Sequence, residues 1–169
     1  MERNRDKSLG VTVYVGQRRG NSSTSDFSKA AIERTVQAAF DIARFTAEDP
    51  FAALPDEADI ATEAEIAAIN LDLLHTWTVT SEQAAALALE CEAAALNTSK
   101  RFITNSEGAG VSAQQSHFFS AHTHGFRGGY ASSRQSMSVS HIAGRGDDMQ
   151  RDGWYSTGRN VADLASAEE

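Results

Sequence analysis

Leu9, Val11, Val13 and Val15 alternate with Gly10, Thr12 and Tyr14. A period of two predicts a strand with one buried face. Gly16 and Gly20 bracket a predicted turn, and Asn21 to Ser25 reads as a polar return strand or loop. A lone hairpin is marginal in water, so this one is expected to join a larger sheet. The pattern then changes to a helical one. Ser28 is placed to cap a helix running to about Phe45, with Ile32, Val36, Ala39, Phe40 and Ala43 on one face, which is expected to cover the sheet. Asp49-Pro50 ends that region, because the residue before proline avoids the α conformation.

Residues 47–79 read as an acidic connector of poor periodicity, with a possible short helix at Glu63 to Ala68. Ile66, Ile69, Leu71 and Leu74 are expected to anchor it against the body, and His75 and Trp77 lie near its end as packing or surface residues. Thr80 and Gln83 then form a T-x-x-Q capping box, in which each side chain satisfies the other's orphan amide. The body behind it, Glu82 to Leu96, is rich in alanine, the strongest helix former. Both of its faces are apolar but small, so it can approach a neighbour closely.

From Arg101 onward glycine, serine and aromatics replace the helical period. Strands are predicted at about Val111 to His122, Gly129 to Ala143 and Met149 to Ser156. In the middle one, Ala131, Gln135, Met137, Val139 and Ala143 share one parity, while Tyr130, Ser132, Arg134, Ser136, Ser138 and Ser140 share the other. That is a half-buried strand with a small, polar outer face. Bends at Gly125, Gly128 and Gly129 and at Gly144 to Asp147 make the region an antiparallel meander. The fold class is therefore α+β: an antiparallel or mixed sheet, made of the opening hairpin and the strand meander, packed on two main helices. One domain is expected over 1–157, with 158–169 starting a further helix.

Composition narrows the class. The 169 residues are 41% hydrophobic and 22% charged, close to a soluble globular average. No apolar run approaches the roughly 18 residues of a membrane span. The single cysteine, Cys91, excludes an internal disulfide framework and points to a reducing compartment, so a cytoplasmic location is expected. The net charge of −8 is uneven. Between Phe45 and Ser99 there are eleven acids and no Lys or Arg, leaving 15 basic and 12 acidic residues elsewhere. Such a middle repels phosphate and argues against direct nucleic-acid binding.

Chemistry-bearing motifs are sparse. His122 and His124 have the i, i+2 spacing that places two imidazoles on one side of a strand, but a zinc site needs a third ligand. Next to Gly125, His124 serves equally as a bend residue. Cys91 sits between Glu90 and Glu92, which raise a thiol pKa, so it reads as a packing residue. The serines from Ser132 to Ser140 lack a nucleophile elbow, and Arg145-Gly146-Asp147 is explained by a turn. No H-E-x-x-H helix, phosphate loop or dinucleotide fingerprint is present in the sequence. No catalytic, cofactor-binding or metal-ligating residue is assigned.

Several runs resemble one family in order: NRDKSLGVTVYVGQRRGNSSTSDFS, ERTVQAAFDIARFTAEDPFAALPDE, RFITNSEGAGVSAQQSHFF, HGFRGGYASSRQSMSVS and DDMQRDGWYSTGR. They are similar to the N-terminal part of the PmbA/TldE proteins of the TldD/TldE metallopeptidase family, long labelled modulators of DNA gyrase. The resemblance covers nearly the whole chain, without the family's first strand and helix and without its C-terminal domain. Two positions depart from the family pattern: Gln135, where histidine is commoner, and His141, where an aliphatic residue is. The resemblance implies a non-catalytic subunit of a cytosolic heterodimer. Its TldD-type partner would hold zinc on an H-E-x-x-x-H helix that has no counterpart here. Implied substrates are unfolded or modified peptides, as in peptide antibiotic maturation and antitoxin degradation. The alternative is a protein-binding modulator of DNA gyrase without proteolysis.

Overall fold

The computed structural model describes residues 2–169. Its contacts divide the chain into two compact units, where the sequence reading drew one domain over 1–157. One comprises residues up to Thr62 together with His122–Phe126, and the other Glu63–Ala121 with Arg127–Glu169. Each holds its own antiparallel sheet, so the α+β class is observed.

In the first unit, β1 (Leu9–Val15) pairs with β2 (Arg18–Thr24) around a turn at Gly16, whose φ of 59° suits glycine. The sheet contains only these two strands among the described residues. Helix α1 (Lys29–Phe45) covers it, as the sequence pattern predicts. Ser28 caps α1 through a 3.3 Å bond from the Ala31 amide. Asp26 in turn accepts from the Ser28 amide at 2.8 Å and its hydroxyl at 3.1 Å. These bonds hold the Asp26 carboxyl below its ordinary pKa. At the other end Arg18 donates to the Arg44 carbonyl at 3.1 Å and pairs with Glu48 at 3.1 Å.

The buried stripe of α1 shares Ala39 and Ala43 with the predicted face and otherwise differs from it. Ala31, Thr35, Ala39 and Ala43 are buried, while Val36 and Phe40 are 44% and 39% exposed. The cause lies in β2. Gly20, read as turn punctuation, sits inside the strand and is buried. A Cβ there would overlap the Ala39 carbonyl oxygen and the Ala43 amide. The helix backbone therefore rests directly on the strand, and only a stripe of small residues allows that approach.

The second unit begins with the short helix α2 (Glu63–Ala68) and an extended segment leading to α3 (Ser81–Thr98). Both bonds of the Thr80/Gln83 capping box form, at 2.9 and 3.2 Å. Strands β3 (Ile103–Ala121), β4 (Arg127–Ala143) and β5 (Gln150–Gly158) make a meander in the order β3-β4-β5. β3 begins eight residues before its predicted start. Register shifts between Ile103 and Asn105 and between Ser106 and Gly108 absorb the irregular Thr104 to Gly108 stretch, where Gly108 takes a φ of 119°. Gly128 and Gly129 lie within β4, and the bend is the turn His122–Phe126. Gly144 and Gly146 turn the chain into β5, as expected. In 158–169, where a helix start was expected, a single 3₁₀ turn forms at Val161–Asp163.

α3 packs on β3 and β4 and buries Cys91. No helix among the described residues is long and apolar enough to cross a membrane.

Candidate functional site

The alternation in β4 gives the second unit two unlike faces. Odd-numbered residues turn toward α3: Ser133 and Gln135 are buried, and Met137, Val139 and His141 are half-buried. Even-numbered residues form the outer face, as the parity predicts. On it, hydroxyls meet across strands, Ser112 with Ser136 at 2.8 Å and Ser116 with Ser132 at 2.9 Å. Ser138 stands between Gly110 and Tyr155 in the register. One end is closed by Glu107, which accepts from Ser140 at 3.1 Å and pairs with Arg151 at 2.9 Å. At the other end Phe118 and Tyr130 meet with ring centroids 5.5 Å apart. The face thus offers hydroxyl donors and acceptors between an ion pair and an aromatic pair. It can bind polar chains through hydrogen bonds.

A joint missed in the sequence lies on the opposite parity. The Ser133 amide donates to the Leu73 carbonyl at 2.9 Å, and the Ser133 hydroxyl accepts from the His75 amide at 2.8 Å. The same hydroxyl lies 3.0 Å from the Arg159 carbonyl and 3.2 Å from that of Leu73. Arg159 returns a bond to the Ser133 carbonyl at 3.2 Å, and the Gln135 amide donates to the His75 carbonyl at 3.0 Å. Residues Leu73 to His75 of the connector are thereby clipped to the edge of β4 by backbone and serine bonds, whereas the expected anchors Ile69, Leu71 and Leu74 are exposed. The signal was present: a serine and a glutamine on the buried parity must find polar partners. Asp72, just before the clip, is the one non-glycine residue with positive φ among those described, at 43°. Its carbonyl accepts from the His75 ring at 3.0 Å.

Under α3 a cavity of about 170 Å³ is lined by Cys91, Ala94, Met137, Val139, His141 and Trp154, with Ala165 to Glu169 along its rim. Burial first, and the neighbouring Glu90 second, push the Cys91 thiol above its ordinary pKa. It is a poor nucleophile, in agreement with the packing role. Oε1 of Gln135 and Nδ1 of His141 are buried without a hydrogen-bond partner among the described residues.

His122 and His124 do not converge. Their rings stand edge-on with centroids 6.1 Å apart, and His122 stacks on Phe126 at 5.5 Å. Nδ1 of His124 donates to the Pro55 carbonyl at 3.0 Å, so it is the bend residue. Among the described residues no three His, Cys, Asp or Glu side chains come together as metal ligands. The donor set therefore does not fit a zinc ion. Arg145-Gly146-Asp147 lies in the turn before β5.

Comparison with known proteins gives the lineage. Residues 74–169 match the PmbA/TldA metallopeptidase central domain, and residues 1–43 match domain 1 of the same family. The chain is 42% identical to Metalloprotease PmbA of Escherichia coli O157:H7 over 168 residues, covering 99% of this chain and 36% of that protein. It is 38% identical over 161 residues to a Metalloprotease PmbA homolog of Haemophilus influenzae, covering 95% of this chain and 35% of that one. Among solved structures, a Bacteroides thetaiotaomicron protein named as a modulator of DNA gyrase superposes with a TM-score of 0.81 at 21% identity, over 94% of this chain and 36% of its own. TldE from Thermococcus kodakarensis superposes with a TM-score of 0.58 at 9% identity, over 90% of this chain and 38% of its own. At these identities the structures speak for the fold. This chain, spanning a little over a third of the length of the curated relatives it matches, belongs to the PmbA/TldE family of metallopeptidases.

Proposed function

We propose that the chain is the scaffold part of a PmbA/TldE-type subunit, itself non-catalytic, that works in the cytoplasm beside a TldD-type subunit on unfolded or modified peptides. The observation that carries this reading is the outer face of the β3-β4-β5 sheet. It is exposed and hydroxyl-lined, on a domain whose sequence matches the central domain of a metallopeptidase family. Such a face suits admitting and orienting an extended chain by hydrogen bonds. Zinc and the hydrolytic step belong, in this reading, to the partner. Peptide antibiotic maturation is one task of that kind.

The test is reconstitution. The full-length subunit containing this chain is mixed with a TldD-type subunit and an unfolded peptide, and cleavage is followed by mass spectrometry. Cleavage is expected only when both subunits are present, with zinc bound in a ratio of about one per pair. Full activity of either subunit alone would refute the division of labour.

A further inference from the structure

The chain contains the dipeptide Asn-Ser twice, at Asn21-Ser22 and at Asn105-Ser106. Both asparagines are exposed and both lie in strands, so neither sequence nor exposure separates them. Their local geometry does. Asn21 sits in the regular β1-β2 ladder opposite Thr12, and its Oδ1 accepts from the Thr12 hydroxyl at 2.7 Å. That bond holds the carboxamide across the hairpin. Asn105 and Ser106 lie between two register shifts of β3, with Thr104 and Glu107 as the extra residues that β4 does not match. There the Ser106 amide donates to Oδ1 of Asn105, the residue just before it, at 2.9 Å. Asn70 and Asn160 instead accept from the amide two residues on, at 3.3 and 3.1 Å.

A bond to the very next amide folds the carboxamide back onto the following peptide nitrogen. A C=O bond is about 1.2 Å long, so Cγ of Asn105 lies within about 4 Å of the Ser106 nitrogen, against the about 3–3.5 Å of a reacting pair. The same bond polarises the carboxamide carbonyl toward attack. The bulge also fixes the pair on both sides. The Ser106 hydroxyl donates to the Ser140 carbonyl at 3.4 Å and accepts from the Gly108 amide at 2.9 Å, and the Thr104 hydroxyl donates to the Gly144 carbonyl at 2.6 Å.

We propose that Asn105 is a site of spontaneous succinimide formation and deamidation. The Ser106 amide gives its proton to hydroxide, and its nitrogen attacks Cγ of Asn105. The N–Cγ bond forms and the Cγ–Nδ2 bond breaks. Nδ2 leaves as ammonia with a proton from water, which restores the hydroxide. Water then opens the cyclic imide at one of its two carbonyls. Breaking the new N–Cγ bond gives aspartate, and breaking the original peptide bond gives isoaspartate. One water is consumed, one ammonia is released, and nothing is oxidised or reduced. The isoaspartyl product runs the main chain through Cβ and Cγ, so the bulge gains a methylene and a free carboxylate two residues before Glu107. The reacting groups belong to adjoining residues of this chain, so water is the only co-reactant and no free surface or partner is required. The site stands apart from the peptidase reading.

The full-length subunit containing this chain is incubated at mildly alkaline pH, digested, and mapped by mass spectrometry with chromatographic separation of aspartyl and isoaspartyl peptides. In the folded protein Asn105 is expected to convert about tenfold faster than Asn21, the ratio given by a barrier difference of about 1.4 kcal/mol. In denaturant both dipeptides are released from their bonds, and the two rates are expected to converge. Asn105→Gln would need a larger ring, so conversion at 105 is expected to vanish while that at Asn21 is unchanged. Should this variant fail to fold, the comparison of folded with denatured wild type decides alone. Equal rates in the folded protein, faster loss at Asn21, or conversion of neither overturns the proposal. So does an Asn105 excess that persists in denaturant, which would assign it to sequence and not to the bulge.

Discussion

Gly20 is the position where one added carbon has the largest calculable effect. Replacing it by alanine puts a methyl group into the Ala39 carbonyl oxygen and the Ala43 amide. Both are backbone atoms in the middle of α1, so no side-chain rotation relieves the overlap. The helix must move off the hairpin by about an ångström. A gap of that size forfeits a quarter to a half of the dispersion energy of each contact it opens. Overpacking costs about 1–3 kcal/mol, and a rigid backbone neighbour places Gly20→Ala at the upper end. For a unit of this size that lowers the melting temperature by on the order of 10–20 °C. Gly10→Ala is the control, because a Cβ there meets nothing within 4 Å. In a strand interior it is expected to be neutral or to stabilise by about 0.4–1 kcal/mol. Denaturant unfolding gives both values, and hydrogen exchange of α1 amides locates the loss in the first unit. A Gly20→Ala variant within about 0.5 kcal/mol of wild type would refute the direct helix-on-strand contact.

Ser133→Ala leaves the His75 amide without its acceptor; a loss of about 1–3 kcal/mol is expected, with faster proteolysis around Leu73 to His75. Met137→Asp places a charge on the half-buried face beside Cys91 and should destabilise the second unit in a thermal melt. Ser138→Trp, on the exposed face, should instead lower peptide processing by the reconstituted pair while leaving assembly and zinc content unchanged; unchanged processing removes the peptide role of that face. Asp26 has its carboxyl pKa depressed by the Ser28 bonds. Its contribution is therefore present above the ordinary carboxylate pKa and is lost as pH falls through the depressed value. Asp26→Asn should flatten that acid limb, and acid titrations of the two proteins with the same slope would contradict the assignment.

Local signals were legible wherever chemistry and conformation act over a few residues. Thr80 and Gln83 announced a capping box because its two bonds join residues three apart. The alternation from Tyr130 to Ala143 announced two faces because a strand has a period of two. Glycines gave the turns after β1 and before β5, where positive φ is required. The same residue type misled at Gly20, since a glycine needed for close approach looks no different in sequence from one needed for a turn. That ambiguity carried into α1. Its large apolar residues suggested a face through Val36 and Phe40, but the absence of a Cβ on β2 made the alanine stripe the one that fits. The clip at Ser133 was hidden for a related reason. Its partners lie 58 to 60 residues earlier and 26 later, and no local pattern links them. The sequence by itself determined the elements, the polarity of the β4 faces and the family. Tertiary structure decided which helix face is buried and where the connector docks, because each depends on what a distant segment brings within a few ångströms.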